Sequence, residues 1–158
     1  MRKTLMLLST LFIFFTIGCS DSELNEKEES KILADVSVAT TKLYSLTYNS
    51  FQDITTEDLE NILPNYYAEP LISQLRSEWY EKIVQKDFNE KDVEGTFMEI
   101  LSFAENEKPQ FSVVNNKKVK LHWGEFVRGV ESEQVSKLEI IVKKNEGGNW
   151  KISSLSFD

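Results

Sequence analysis

The chain has 158 residues, a length that suits one domain plus a short extension, and carries 18 Lys and Arg against 26 Asp and Glu for a formal net charge of −8. One cysteine, Cys19, and one histidine, His122, exclude an internal disulfide and fall short of the three or four ligands that a zinc site takes. The acidic balance argues against nucleic acid as a partner, because phosphate affinity rests on clustered Lys and Arg.

The first thirty residues read as an address rather than as fold. Arg2 and Lys3 precede an apolar run, Leu5 to Ile17, broken only by Ser9, Thr10 and Thr16. As a helix this run spans about 20 Å, short of the roughly 30 Å hydrocarbon core, so it predicts a signal-peptide core rather than a permanent membrane span. The next residues, Thr16-Ile17-Gly18-Cys19, resemble a bacterial lipobox, with Ile17 and Gly18 matching the pattern and Thr16 standing where leucine is more usual. The resemblance implies cleavage before Cys19, diacylation of its thiol and anchoring to the extracytoplasmic face of a membrane in a bacterial cell envelope. A nucleophilic Cys19 would need a base beside it, and the end of an apolar leader offers none; two acyl chains would hold stably where one is marginal.

Loss of residues 1–18 removes two positive charges and leaves a net charge of about −10 from the remaining 16 basic and 26 acidic residues. That sum argues against electrostatic docking on anionic lipid, leaving the lipid on Cys19 as the membrane contact. "SDSELNEKEES", Ser20 to Ser30, holds one large apolar residue and has the composition of a flexible tether reaching about 18 Å. The same charged run could instead start the first helix early. The chain thus divides into a leader (1–18), a lipidated cysteine with tether (19–30) and a folded domain (31–158).

From Lys31 the period is helical. Ile32, Val36, Ala39, Leu43 and Leu46 mark the core face of a helix running to about Asn49. "TTEDLENIL" opens a second helix, capped by Thr55 or Thr56, with Leu59, Ile62 and Leu63 inward and Pro64 as the expected stop. A third is expected from Glu69-Pro70, with Leu71, Leu75, Trp79 and Ile83 as its stripe. "VEGTFMEILSFAEN" fits a helix through Val93, Phe97, Leu101 and Ala104, or a strand from about Thr96; Gly95 and Thr96 favour the strand.

Beyond Pro109 the texture turns to β. "FSVVNNKKVKLHW" predicts a hairpin around Asn115-Asn116, with Val119, Leu121 and Trp123 on one face and Lys120, His122 and Gly124 on the other. "SKLEIIVKK" places Leu138, Ile140 and Val142 together, "NEGGN" turns, and "WKISSLSF" closes the sheet. Helices followed by strands with one apolar face predict an α+β domain, with helices packed on one side of an antiparallel sheet of four or five strands.

A long helix, shorter helices and a meander closing on "GGNWKISSLSF", with the penultimate "VSKLEIIVKK", is similar to the nuclear-transport-factor-2-like superfamily. The likeness covers roughly residues 31–158 and implies a curved, cone-shaped roll with a cavity between the long helix and the sheet. Some members of that superfamily are isomerases or dehydratases and many are binding modules, so fold alone does not choose between them.

For general-base chemistry His122 is the natural candidate, yet strand parity puts it with Lys120 on the outer face, where only a bulge could turn it inward. Glu139 meets the same objection beside Lys137 and Lys143. Tyr66, Tyr67, Trp79 and Trp123, joined by Trp150, are candidates for lining an apolar pocket or for plain core packing; Tyr66-Tyr67, between two helices, is the pair placed to cover a cavity mouth. Glu131 and Glu133 read as a solvated loop rather than a metal site. No motif calls for a cofactor or a metal, and no Ser/His/Asp set or Gly-rich phosphate loop is present. The reading is a membrane-anchored, non-catalytic module that binds a protein or a small apolar ligand. A small lyase or isomerase, or a lipoprotein conferring immunity to a toxin, are the alternatives.

Overall fold

The computed structural model describes residues 24–48, 51, 53–89, 106–127 and 135–157. Three helices precede four strands: α1 (Glu26–Tyr48), α2 (Thr56–Tyr66), α3 (Leu71–Gln85), β1 (Gln110–Asn115), β2 (Lys118–Val127), β3 (Val135–Lys144) and β4 (Trp150–Phe157). The strands form one antiparallel sheet in the order β1-β2-β3-β4, and the helices lie on one of its faces. The α+β class and the helices-first order expected from the periodicity are the observed architecture. "VEGTFMEILSFAEN", left between helix and strand, falls outside the described residues except for its last, Asn106.

The helices form where the apolar spacing asks for them. Ile32, Val36, Ala39 and Leu43 of α1 are all at most 1% exposed, a stripe repeating every three to four residues and pressed on the sheet. Thr40, beside the stripe, is buried at no cost because its hydroxyl donates back to the Val36 and Ser37 carbonyls at 3.1 Å. α1 begins at Glu26, five residues before the expected Lys31, with Asn25 Oδ1 accepting from the Glu28 amide at 2.9 Å. Acids in its first turn, Glu26, Glu28 and Glu29, favour this start by facing the positive end of the helix dipole. The charged run is therefore helix from Glu26 onward, not tether.

Thr55 caps α2 in a capping box: its hydroxyl accepts from the Asp58 amide at 3.2 Å, and the Asp58 carboxylate accepts from the Thr55 amide at 2.9 Å and its hydroxyl at 2.6 Å. Pro64 does not stop the helix as expected but lies inside it, and α2 runs on to Tyr66. An interior proline removes one amide donor and crowds the carbonyl four residues back, and two residues from the helix end that disturbance is confined to the last turn. The Tyr67 amide still reaches Leu63 O at 2.8 Å. Beyond it, Glu69 replaces a missing N-cap on α3 by accepting from the amide and hydroxyl of Ser73 at 3.2 and 2.7 Å.

In the sheet, Val119, Leu121 and Trp123 of β2, Leu138, Ile140 and Val142 of β3, and Trp150 and Ile152 of β4 point at the helices and are buried. Two irregularities shift this parity. Between Trp123 and Phe126, β2 advances three residues while β3 advances two, so Trp123 and Phe126 both face inward. On β4 the pairs Val142↔Ile152 and Ile141↔Ser154 leave Ser153 as the extra residue; it is buried, with its hydroxyl donating to Ile141 O at 3.1 Å. The turn after β3 is pinned by Asn145, whose carbonyl and side-chain oxygens accept from Gly148 N and Asn149 N at 3.0 and 2.8 Å. Gly148 sits at φ +78°, which glycine tolerates without strain. The free edge of β4 is covered by Tyr67-Ala68, where Ala68 N donates to Ile152 O at 2.8 Å.

Leu121, fully buried at the centre of β2, should lose about 2–5 kcal/mol of stability on replacement by alanine in urea unfolding. Thr55→Ala should cost about 1 kcal/mol, with Thr55→Ser, which keeps the hydroxyl that both accepts from the Asp58 amide and donates to its carboxylate, restoring most of it.

Candidate functional site

The sequence candidates fall in different places and do not converge. Tyr67 is 1% exposed and its hydroxyl donates to Ala39 O on α1 at 3.0 Å, tying α2 to α1 across the core. Burial pushes the phenol well above its ordinary ionisation range. It is a strut of the core, and Tyr66 packs against that core from a half-buried position. Trp79 is buried on α3 against Phe88, with ring centroids 5.4 Å apart. Trp123 is buried on β2, edge-on to Phe126 at 5.6 Å, and its indole N–H donates to Glu107 O at 2.8 Å. Cys19, Glu131 and Glu133 lie outside the described residues.

His122 keeps the outer-face position that parity gave it, because the β2 bulge follows it in the chain. Its strand neighbours are Gln110 and Glu139, and Glu139 is engaged by Lys120 Nζ at 2.7 Å. His122 and Trp123 border a recess of about 410 Å³ with Asn106, Lys108 and Glu125. One wall is held by Asn106, whose side-chain amide imitates a strand backbone: Oδ1 accepts from Val127 N at 2.7 Å and Nδ2 donates to Val127 O at 3.3 Å. Charged and hydrogen-bonding groups edge this recess, which suits a polar ligand better than the apolar one expected.

A second recess, of about 190 Å³, lies at the other end of β2, where the chain comes in from the N-terminus. Leu24, Asn25 and Glu28 meet Asn115, Asn116, Lys144 and Trp150 there. Glu28 Oε1 accepts from Lys144 Nζ at 2.6 Å and from the Trp150 indole N–H at 2.9 Å, while the Lys144 ammonium stands 5.2 Å from the Trp150 ring centroid. Two turns on, Asp35 Oδ2 accepts from Lys31 Nζ at 2.8 Å and from the Trp150 backbone amide at 2.9 Å. The hydrogen bonds from Lys144 first and Trp150 second hold the Glu28 carboxyl below its ordinary range. Sequence reading missed this cluster because Glu28 was assigned to a tether; its signal was the continuation of the α1 stripe backward from Ile32 through Glu28.

Among the described residues no group of three or more His, Cys, Asp and Glu is gathered as a metal site. The nearest approach to chemistry is a salt-bridged clamp, and its partners are already satisfied by one another. Its expected behaviour is structural. A depressed carboxyl contributes stability above the ordinary glutamate value of 4.5 and loses it as the pH falls further. Glu28→Gln should therefore cost about 1 kcal/mol near neutrality and a vanishing amount once acid protonates the wild-type carboxyl. Urea titrations followed by tryptophan fluorescence at both pH values test this, and an equal loss at both would refute it. Tyr67→Phe should cost about 1 kcal/mol with no such pH dependence. Compared with known protein families, curated proteins and solved structures, the chain matches none of them.

Proposed function

We propose that this protein is a lipid-anchored extracytoplasmic binding module, held to its membrane through Cys19. The observation that carries the reading is the lipobox-like Thr16-Ile17-Gly18-Cys19 standing directly before the folded domain, whose first helix starts at Glu26. Seven peptide steps from Cys19 to Glu26 span at most about 25 Å, so the domain sits close to the bilayer. The His122–Trp123 recess is then on the membrane-distal half, some 17 Å further along β2 from Val119 to Gly124. Its polar rim supports binding of a small polar ligand or a protein loop rather than turnover.

The cone-shaped, nuclear-transport-factor-2-like roll belongs to the same proposal. It is supported by a long helix laid over the inner face of the sheet and by bulges in β2 and β4, which bend strands around such a helix.

The anchor is tested by mass spectrometry of the protein extracted from membranes. A mature chain starting at a diacylated Cys19 is expected, and Cys19→Ala should leave the leader uncleaved and the cysteine-borne lipid absent. An unmodified Cys19 in a soluble wild-type chain would overturn the reading.

A further inference from the structure

The net charge of this acidic chain hides a division between its two layers. Over residues 26–89, the described helical layer holds twelve acidic and six basic side chains. The described segments 106–127 and 135–157 hold four acidic and eight basic. Strand parity sorts the excess further. Lys118, Lys120, Lys137, Lys143 and Lys151 all occupy outward positions on β2, β3 and β4, against two acids on that face among the described residues, Glu139 and, in the β2 bulge, Glu125.

Three of these lysines stand side by side. Lys118 is the register partner of Lys143, and Lys143 of Lys151, so the row crosses three adjacent strands over about 10 Å. Like charges directly opposite one another destabilise a sheet, and this row is not neutralised by direct carboxylate pairing. Lys143 and Lys151 donate to backbone carbonyls, Glu69 O at 2.6 Å and Pro64 O respectively, which bind the ammonium groups without cancelling their charge. Lys118 makes no ion pair among the described residues. By contrast, three of the acids toward this end of α1 are matched, Glu28 with Lys144, Glu29 with Lys108 and Asp35 with Lys31, and Glu26 is the one without an ion pair among the described residues. The row therefore presents net positive charge.

Its place in the fold identifies the partner. The row lies beside the turns at Asn116-Lys117 and 145–149, the end of the sheet where Leu24 and Asn25 bring the chain in from Cys19. The outward positions of the described strands carry no Phe, Tyr or Trp, the residues on which protein interfaces concentrate their binding energy, and lysine is depleted from such interfaces. Lysines spread along one row instead match a layer of anionic headgroups, where each contributes a small, salt-sensitive attraction. Among the acids of the helical layer Glu69 stands near the row: its carboxyl, held below the ordinary range by the Ser73 hydroxyl first, also feels the Lys143 ammonium, while Lys118 and Lys151 make no ion pair among the described residues.

We propose that the Lys118–Lys143–Lys151 row docks on anionic phospholipid headgroups and orients the domain against the bilayer to which Cys19 holds it. This rests on the anchor reading and corrects the expectation, drawn from total charge, that the protein surface takes no part in membrane contact. The sum over the chain is negative, but a surface within a screening length of the row is attracted by the row.

The test uses the full chain isolated from membranes and mixed with vesicles of phosphatidylcholine or of phosphatidylcholine with phosphatidylglycerol. Flotation is scored together with the rate of amine labelling at Lys117, in the turn beside the row, and at Lys86, at the far end of α3. Docking predicts that Lys117 labels several-fold more slowly on the anionic vesicles alone, that 1 M salt removes the difference, and that Lys86 labels alike on both. Lys118→Gln, which removes no ion pair made among the described residues, should weaken the protection about fivefold. Lys118→Gln with Lys143→Gln and Lys151→Gln should abolish it. If the anchor reading fails but docking holds, the wild type floats with anionic vesicles only, and salt releases it. Flotation on both vesicle types with equal labelling of Lys117 overturns docking, leaving the face to a soluble acidic partner; flotation on neither overturns it as well.

Discussion

Everything in this domain depends on covering the apolar inner face of three strands. Val119, Leu121, Leu138, Ile140, Val142 and Ile152 present a surface that no strand can bury alone, and α1 lays its own stripe across it. α1 could not do this as a bare amphipathic rod, because its N-terminal turns pass over a sheet end where Trp150 and the β3–β4 turn bring polar groups. The Glu28, Lys144 and Asp35 contacts resolve that conflict by giving each polar group a charged or hydrogen-bonding partner. The apolar stripe supplies the driving force and the polar clamp fixes the register.

The other helices are fastened by backbone groups as much as by packing. Tyr67 joins the end of α2 to the middle of α1 through its hydroxyl and to β4 through its neighbour Ala68. Lys151 donates to the Pro64 carbonyl, supplying from β4 the positive charge that the last turn of α2 lacks. Lys143 does the same for the loop that follows. These lysines thus serve the fold at their tips, yet carry their charge on the outer face, and that double duty explains how a repulsive row persists in a stable sheet.

Parity is what links sheet geometry to function. Because side chains alternate, an apolar inner face leaves a polar outer one, and in this chain the polar positions are mostly lysine. The bulges matter for the same reason. That in β2 comes after His122, so it turns Phe126 into the core without bringing the histidine with it. A bulge four residues earlier, between Val119 and His122, would have turned the histidine inward and changed the chemistry open to the domain.

The helices, the order of elements and the inward residues before each bulge were legible in the sequence, since periods of 3.6 and 2 follow directly from backbone geometry. Other features depended on partners distant in sequence. Glu28 looked like tether until Lys144 and Trp150, more than 110 residues away, were set beside it; that Tyr67 ties α2 to α1 shows only once Ala39 stands opposite its hydroxyl. Pro64 looked like a stop because a local rule cannot see that the helix ends two residues later and is held there by β4. Charge gave the sharpest contrast: the sequence determines that the chain is acidic, but only strand pairing decides that Lys118, Lys143 and Lys151 stand in one row, because register brings together residues that the chain itself keeps apart.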